Sequence, residues 1–189
     1  EPNAVHTSVA DLERAGKLAM VLTQNIDGLH TRGGTSSGRL VELHGTNTAI
    51  ECMSCHARTD PDPHVKRFLE TRTPPVCSCG GYLKPATISF GQNLEPDELE
   101  RAAAAVQETD LVVALGSTLS VYPAAGFPLA AAERGVPYVV VNRGATDHDG
   151  HAAVTLRLEG DVVELFPPAV AEALAPSRCS GGAVVGGDS

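Results

Sequence analysis

Four cysteines carry the clearest chemistry in the chain. Cys52 and Cys55 form a C-x-x-C pair, and Cys77 and Cys79 form a C-x-C pair about twenty residues later. Two cysteine pairs with a loop between them are the spacing of a zinc site. The second pair is one residue tighter than the usual knuckle, but Gly80 and Gly81 behind it let the backbone fold close to a metal. Four thiolates complete a tetrahedron and leave no open position, so such an ion would not activate water. Its work would be to fold a segment that has no adequate core of its own. Two pairs of buried or redox thiols are the alternative. His56 and His64 lie close by as further ligands, but four cysteines suffice, and both fit solvated loop histidines better.

A second group of candidates sits at the ends of short apolar runs. Gln24-Asn25-Ile26-Asp27-Gly28 follows the run at 20–23, and His44-Gly45 follows 40–43. Gly116-Ser117-Thr118 follows 111–115, and Asn142 follows 136–141. In open α/β sheets, ligands bind just beyond the carboxyl ends of the strands. Hydroxyls and backbone amides at such ends can hydrogen-bond ribose and phosphate. Ordinary strand-to-helix turns would use the same residue types, and the pattern alone does not separate the two.

The elements that must position these groups can be read from periodicity. Asn3 predicts a helix cap, with a helix to Ala15 closed by Gly16. Strands are predicted at 20–23, 40–43, 111–115 (the clearest buried strand), 136–141 and 155–158. Helices are predicted at 95–107, with Pro96 in the first turn, at 122–134, and from Val162 onward. Pro167-Pro168 is expected to break or kink the last of these. Between Cys52 and Cys79 the chain is polar and proline-rich, with little periodicity. The alternation predicts an α/β fold: a Rossmann-like, doubly wound, mainly parallel sheet with a small inserted four-cysteine zinc-binding module. We divide it into a nucleotide-binding lobe over 1–51 and 92–175, the zinc module over 52–91, and a disordered Ser/Gly-rich tail over 176–189 carrying Cys179 as a free thiol.

Composition narrows the classes. Of 189 residues, 42% are hydrophobic, enough for a real core, and with no Trp that core must be Val, Leu, Ile and Ala. The net charge of -9 repels phosphate backbones, so nucleic acid is not expected as a partner. A basic peptide or a small molecule fits better. No apolar run is long enough to span a membrane, and no signal peptide is visible. The first residue is not Met, which fits a cut or processed start. Clustered cysteines indicate metal ligation in a reducing cytoplasm rather than a disulfide framework.

Thr23-Gln24-Asn25-Ile26-Asp27-Gly28-Leu29-His30 and Leu43-His44-Gly45 precede the cysteines. Lys84-Pro85, Phe90-Gly91, Gly116-Ser117-Thr118-Leu119 and Val141-Asn142 follow them. This ordered set, from about Asn3 to about Leu174, resembles the sirtuins, the NAD-dependent protein lysine deacylases. The resemblance implies NAD as cosubstrate, a structural zinc ion, and an acylated-lysine protein or peptide as substrate. It implies that the acyl oxygen attacks the anomeric carbon of the nicotinamide ribose and expels nicotinamide. A His then acts as general base on a ribose hydroxyl, which attacks the imidate. The products are free lysine, nicotinamide and O-acyl-ADP-ribose. By motif match His44 is that base, and the unperturbed pKa of His, near neutrality, suits the task.

By the same match, Asn25 and Asp27 lie around the nicotinamide, and Gln24 contacts a ribose. Asp27 would serve equally as a helix cap, and His30 fits a structural role. Gly116 and Ser117 match the adenosine side of NAD, where relatives read Gly-Thr-Ser. Asn142 matches a ribose contact, and Asp161 with Val162 matches the segment beside adenine. Phe90-Gly91 resembles the strand that pairs with the peptide by β-augmentation, with Gln92 where relatives carry Glu. The Gly-Ala-Gly-x-Ser loop and the Asp-Phe-Arg segment of the family do not occur in this sequence, nor does the first strand. The expectation is a fragment or truncated form that does not bind NAD normally and carries an unpaired sheet edge. The alternatives are a non-catalytic zinc-stabilised peptide-binding module and a protein ADP-ribosyltransferase.

Overall fold

The structure, a computed structural model, describes residues 1–176. Helix α1 (Ala4–Arg14) begins where the cap residue places it. Asn3 Oδ1 accepts from the N–H groups of Val5 and His6, and the Asn3 N–H donates back to His6 Nδ1 at 3.2 Å. Strands β1 (Val21–Thr23) and β2 (Leu40–Glu42) pair in parallel, Val21 beside Leu40, with the short helix α2 (Leu29–Arg32) between them.

The chain then leaves the parallel framework. Strand β3 (Gly45–Cys52) is the centre of an antiparallel sheet with β4 (Arg58–Thr59) on one side and β5 (Leu83–Thr87) on the other. Helix α3 (Pro61–Thr71) connects β4 to β5. After α4 (Pro96–Glu108), the parallel pattern resumes with β6 (Val112–Leu115), α5 (Gly126–Ala132), β7 (Tyr138–Asn142), β8 (Leu156–Glu159) and α6 (Val162–Leu174). The order β6-β7-β8 is parallel throughout.

Two clusters fill the core. Val41, Leu43, Ala102 and Ala124 are buried together beneath Met20, Leu22, Leu99 and Phe127. Leu119, Ala125, Tyr138 and Val140 form the second, under Val112, Ala114 and Leu129. Arg101 of α4 reaches the carbonyls of Ser37 (2.9 Å) and Leu40 (2.8 Å), tying that helix to the start of β2. Helix α6 packs on β7 and on α1. Among the described residues no helix is long and apolar enough to cross a membrane.

The structure differs from the sequence expectations in five places. The 52–79 segment contains helix α3, started by Asp60, whose Oδ1 accepts from the Asp62 N–H, and by Pro61 at the first helical position. None of its residues is buried, so its apolar pattern was too sparse to register. The strand at 111–115 is half-buried rather than buried, because β6 pairs with β7 on one side only and Leu111 is exposed. The helix expected over 122–134 shortens to α5, with residues 121–125 in turns. Pro167 and Pro168 do not break α6, which runs through them; its packing on β7 and α1, with Val170 buried, offsets their lost hydrogen bonds. Phe90 and Gly91 are not in a strand: β5 ends at Thr87, and both residues lie in a turn. Residues 177–189, with Cys179, lie outside the described residues.

Candidate functional site

The four cysteines converge. Cys52 ends β3, and a turn bonded from the His56 N–H to the Cys52 carbonyl (3.0 Å) returns Cys55 to it. The second pair sits on a turn closed by the Gly80 N–H on the Cys77 carbonyl (2.9 Å). The Sγ atoms of Cys52 and Cys79 are 3.5 Å apart, those of Cys55 and Cys77 are 3.8 Å apart, and all four lie within 4.8 Å of one another. Zinc–sulfur bonds of about 2.3 Å in a tetrahedron require sulfurs about 3.8 Å apart, so the set fits one zinc ion. A Cβ on Gly81 would come within 2.7 Å of Cys52 Sγ, which is why glycine stands there.

The thiols also show why a cation is needed. Backbone N–H groups of Cys55 and Ser54 hold the Cys52 thiol down to about 6. The Gly81 N–H favours the Cys79 thiolate, but Cys52, Cys55 and Cys77 outweigh it and push that thiol up to about 12. Four thiolates cannot share this space unless a metal neutralises them. His56 is turned away, its Nδ1 3.1 Å from Glu51 Oε1. His64 lies on α3, outside the thiol cluster.

His44 lies in the turn between β2 and β3. The Ile88 N–H donates to its carbonyl at 2.8 Å, and Gly45 stands opposite Thr87. Gly45 has φ +71, and a Cβ there would lie 2.2 Å from the Ala86 carbonyl oxygen. Only glycine lets β3 turn away from β2 this close to β5. The loop 24–27 leaves β1, the parallel neighbour of β2, so it emerges beside His44 at the same sheet end. The Asn47 N–H donates to the Ile26 carbonyl at 2.8 Å and holds that loop against β3. Gln24 is half-buried and Asn25 is exposed. Asp27 Oδ1 accepts from the Leu29 N–H at 2.9 Å, an Asx turn across Gly28, which is itself the cap residue of α2.

A partly buried polar layer lies close to this loop. The His6 and His30 rings are 4.8 Å apart. Burial lowers the pKa of both, while the charge of Asp27 opposes the shift. Glu42, two residues before His44, is pushed up by burial first and then by the charges of Glu98 and Asp27.

The remaining candidates meet at the other parallel sheet. The Gly116 N–H donates to the Val141 carbonyl (2.9 Å) and the Gly160 N–H to the Asn142 carbonyl (3.1 Å), so three strand ends lie side by side. They line a cleft of about 160 Å³ formed by Gly116, Asn142, Arg143, Gly160, Asp161 and Val162. Ser117 Oγ accepts from the Leu119 N–H at 3.1 Å and fixes the loop after β6. Arg143 and Gly160 were not among the residues picked out from the sequence. Each directly adjoins one that was, and that adjacency was the only signal. A second cleft, of about 390 Å³, runs from Glu51 and Lys84 on the β3–β5 ladder to Gly91, Gln92 and Glu95. Phe90 beside it is 98% exposed, and the Gln92 side chain accepts from the Ser89 N–H at 2.8 Å to close the turn.

Comparison with known proteins decides the family. Residues 1–123 match the profile of the Sir2 family. The chain belongs to the Sir2 family. It is similar to NAD-dependent protein deacetylase 2 of Streptomyces coelicolor, 45% identical over 159 residues, which covers 83% of this chain and 66% of that protein. It is also similar to NAD-dependent protein deacetylase 1 of Bradyrhizobium diazoefficiens, at 40% identity over 89% of this chain and 66% of that one. Among solved structures it resembles a complex of Sir2 with p53 peptide and NAD+, with TM-score 0.83, 37% identity, and coverage of 92% and 70% of the two chains. A structure of Sir2 bound to acetylated peptide fits equally, with TM-score 0.83 and 37% identity over 91% and 70%. This Sir2-family chain thus spans about 66% of the length of the curated relatives it matches.

Proposed function

We propose that the protein is an NAD-dependent protein lysine deacylase, and that this chain supplies its general base, its zinc module and the nucleoside end of its NAD site. The observation that carries the reading is the placement of His44. It stands at a parallel strand end beside the 24–27 loop, in a chain whose relatives are named NAD-dependent protein deacetylases.

In the proposed reaction the acyl oxygen of the modified lysine attacks the anomeric carbon of the nicotinamide ribose, and the bond to nicotinamide breaks. Asn25 and Asp27 orient the leaving carboxamide, with Asp27 Oδ1 already held by the Leu29 N–H. Gln24 contacts the ribose. His44 takes the proton from a ribose hydroxyl as that oxygen attacks the imidate carbon. Collapse with water releases free lysine and O-acyl-ADP-ribose. Gly116, Ser117, Asn142, Asp161 and Val162 hold the adenosine half of NAD. Phe90 and Gly91, presented at a turn rather than along a strand, border the peptide. Cys52, Cys55, Cys77 and Cys79 hold zinc, which supplies folding and no chemistry.

The division into a nucleotide lobe (1–51 and 92–175) and a zinc module (52–91) follows from these roles. The antiparallel sheet supports it, although its central strand starts earlier, at Gly45. A reducing cytoplasm suits four thiolate ligands. The test is nicotinamide release by the full-length protein with and without an acetyl-lysine peptide. Release is expected only with the peptide, and loss of at least about a hundredfold is expected for His44→Ala. Full activity of that variant would remove His44 from the mechanism. Transfer of label from NAD to protein instead of to O-acyl-ADP-ribose would replace deacylation with ADP-ribosyl transfer.

A further inference from the structure

The edge strand of the antiparallel sheet carries an ammonium that passes over the carboxylate beside it. Lys84 stands directly opposite Glu51 in the β3–β5 ladder, a place where an ion pair would form. Both Glu51 oxygens are taken, Oε1 by His56 Nδ1 at 3.1 Å and Oε2 by Arg58 Nε at 2.9 Å. Lys84 Nζ donates instead to two carbonyls of its own strand, Thr87 at 2.6 Å and Pro85 at 3.2 Å. The sheet order is β4-β3-β5, so among the described residues β5 has β3 on one side and no strand on the other.

The backbone shows which side those carbonyls face. The Tyr82 carbonyl accepts from the Met53 N–H (2.9 Å), and the Ile88 N–H donates to the His44 carbonyl, so the even-numbered residues point to β3. The Leu83 N–H points the other way, to the Pro75 carbonyl at 3.1 Å, and Pro85 and Thr87 share its side. Lys84 therefore covers the open edge of β5 where the strand ends. Residues 89–92 then form a turn closed on itself, by the Gln92 N–H on the Ser89 carbonyl (2.9 Å) and by the Gln92 side chain on the Ser89 N–H. Among the described residues this turn makes no hydrogen bond outside itself. Its orientation is set by the two residues before it: Ile88, bonded to His44 on the inner edge, and Thr87, bonded to Lys84 on the outer edge.

We propose that Lys84 is a positioning residue for the proposed reaction: by holding the Thr87 carbonyl it orders in advance the turn that presents Phe90 and Gly91 to the peptide. It acts through Thr87 and not by contact with the substrate. This rests on reading that turn as the border of the peptide site. A turn that is not held beforehand must be ordered by the peptide as it binds. The loss then falls on peptide affinity and KM, while kcat with saturating peptide is kept. Lys84→Met is the informative variant, because it keeps an unbranched stem and removes the donors. Lys84→Arg keeps the charge and the donors.

The experiment compares wild type, Lys84→Met and Lys84→Arg in the full-length protein, by acetyl-peptide-dependent nicotinamide release and by hydrogen exchange at the Gln92 amide. Lys84→Met should raise the peptide KM about tenfold, keep kcat within about twofold and speed exchange at Gln92, with zinc content and NAD affinity unchanged. Lys84→Arg should bring KM back to within about threefold of wild type. An unchanged peptide KM in Lys84→Met overturns the inference and leaves the deacylase reading standing. A loss spread over zinc content, NAD affinity and kcat overturns it too, and so does an Arg variant as weak as the Met one. Absence of peptide-dependent release by wild type overturns the deacylase reading and the positioning role together, and faster Gln92 exchange in Lys84→Met would then still establish the hold of Lys84 on the turn.

Discussion

Gly45→Ala is the sharpest test of how the fold holds His44. Gly45 has φ +71, and a Cβ there would meet the Ala86 carbonyl oxygen at 2.2 Å, a backbone atom with no rotamer to change. Real Cβ atoms essentially never approach closer than 3.0 Å, so β3 and β5 must separate locally by close to 1 Å. The left-handed backbone alone costs a β-carbon roughly 1–2 kcal/mol. Straining the Ile88-to-His44 hydrogen bond adds about 1 kcal/mol, and the displaced ladder adds a similar amount. The total of about 3–4 kcal/mol lowers Tm by roughly 6–15 °C in a protein of this size. Gly16→Ala is the control: it has nearly the same φ, +68, with nothing within 4 Å of the added carbon. It should cost only the backbone part, a few degrees by the same scaling. Activity should separate the pair further if His44 is the general base proposed above, because moving a catalytic group by about 1 Å costs about a hundredfold. Differential scanning fluorimetry and acetyl-peptide-dependent nicotinamide release read both quantities. Equal Tm losses and equal rates in the two variants would refute the idea that Gly45 seats His44 against β5.

Three further outcomes are expected. Metal analysis should find one zinc per chain, and Cys77→Ala should lose it together with the helical signal of α3, which has no buried residue to hold it otherwise. His6, His30 and His148 have folded pKa values below the usual 6.5, with burial the largest cause in each. The unfolded chain therefore binds their protons first, so stability is complete above about pH 6.5 and falls as pH drops below it; thermal melts from about pH 8 to 5.5 should show this, and His30→Leu should flatten the slope. Glu42 has a raised pKa, so its burial costs stability above the unfolded value near 4.5 and not below it. Glu42→Gln should accordingly raise Tm at about pH 8 and leave it unchanged near pH 4.

Features set by local chemistry were legible in the sequence. Asn3 capped α1, Pro96 opened α4, and the four cysteines converged, because each depends on residues close in the chain or on one strongly preferred ion. What escaped depended on neighbours brought in by the fold. Pro167 and Pro168 stay inside α6 because of what packs on that helix. Phe90 and Gly91 fall in a turn because β5 stops at Thr87 and Gln92 folds back on Ser89. The pairing of Arg143 with Asp161 joins residues 18 apart in sequence, at the ends of two different strands, and no spacing rule announces it.

The same distinction explains how a zinc ion on the four cysteines, with no open position for chemistry, would still bear on the proposed reaction. Cys52 and His44 bracket one strand: β3 begins right after His44 and ends at Cys52, a span of roughly 20–25 Å. Beside it, β5 starts opposite Cys52, at Leu83, and ends opposite Gly45, at Thr87, three residues before Phe90. The ladder has a register irregularity between Gly45 and Ile50, so its middle does not fix the pairing by itself. The two ends must do so, one through the close contact at Gly45 and the other through the thiols that fasten Cys52 to Cys79. A one-residue slip would turn every β3 side chain to the opposite face. Zinc would thus act on the turn that carries His44 and on the turn that carries Phe90 through one shared ladder. Hydrogen exchange should show it: stripping the metal should deprotect the Ile88 amide, which bonds to His44, along with the amides beside the cysteines. An Ile88 amide that stays protected after zinc loss would separate the metal site from the turn that carries His44 and leave the zinc with a purely local role.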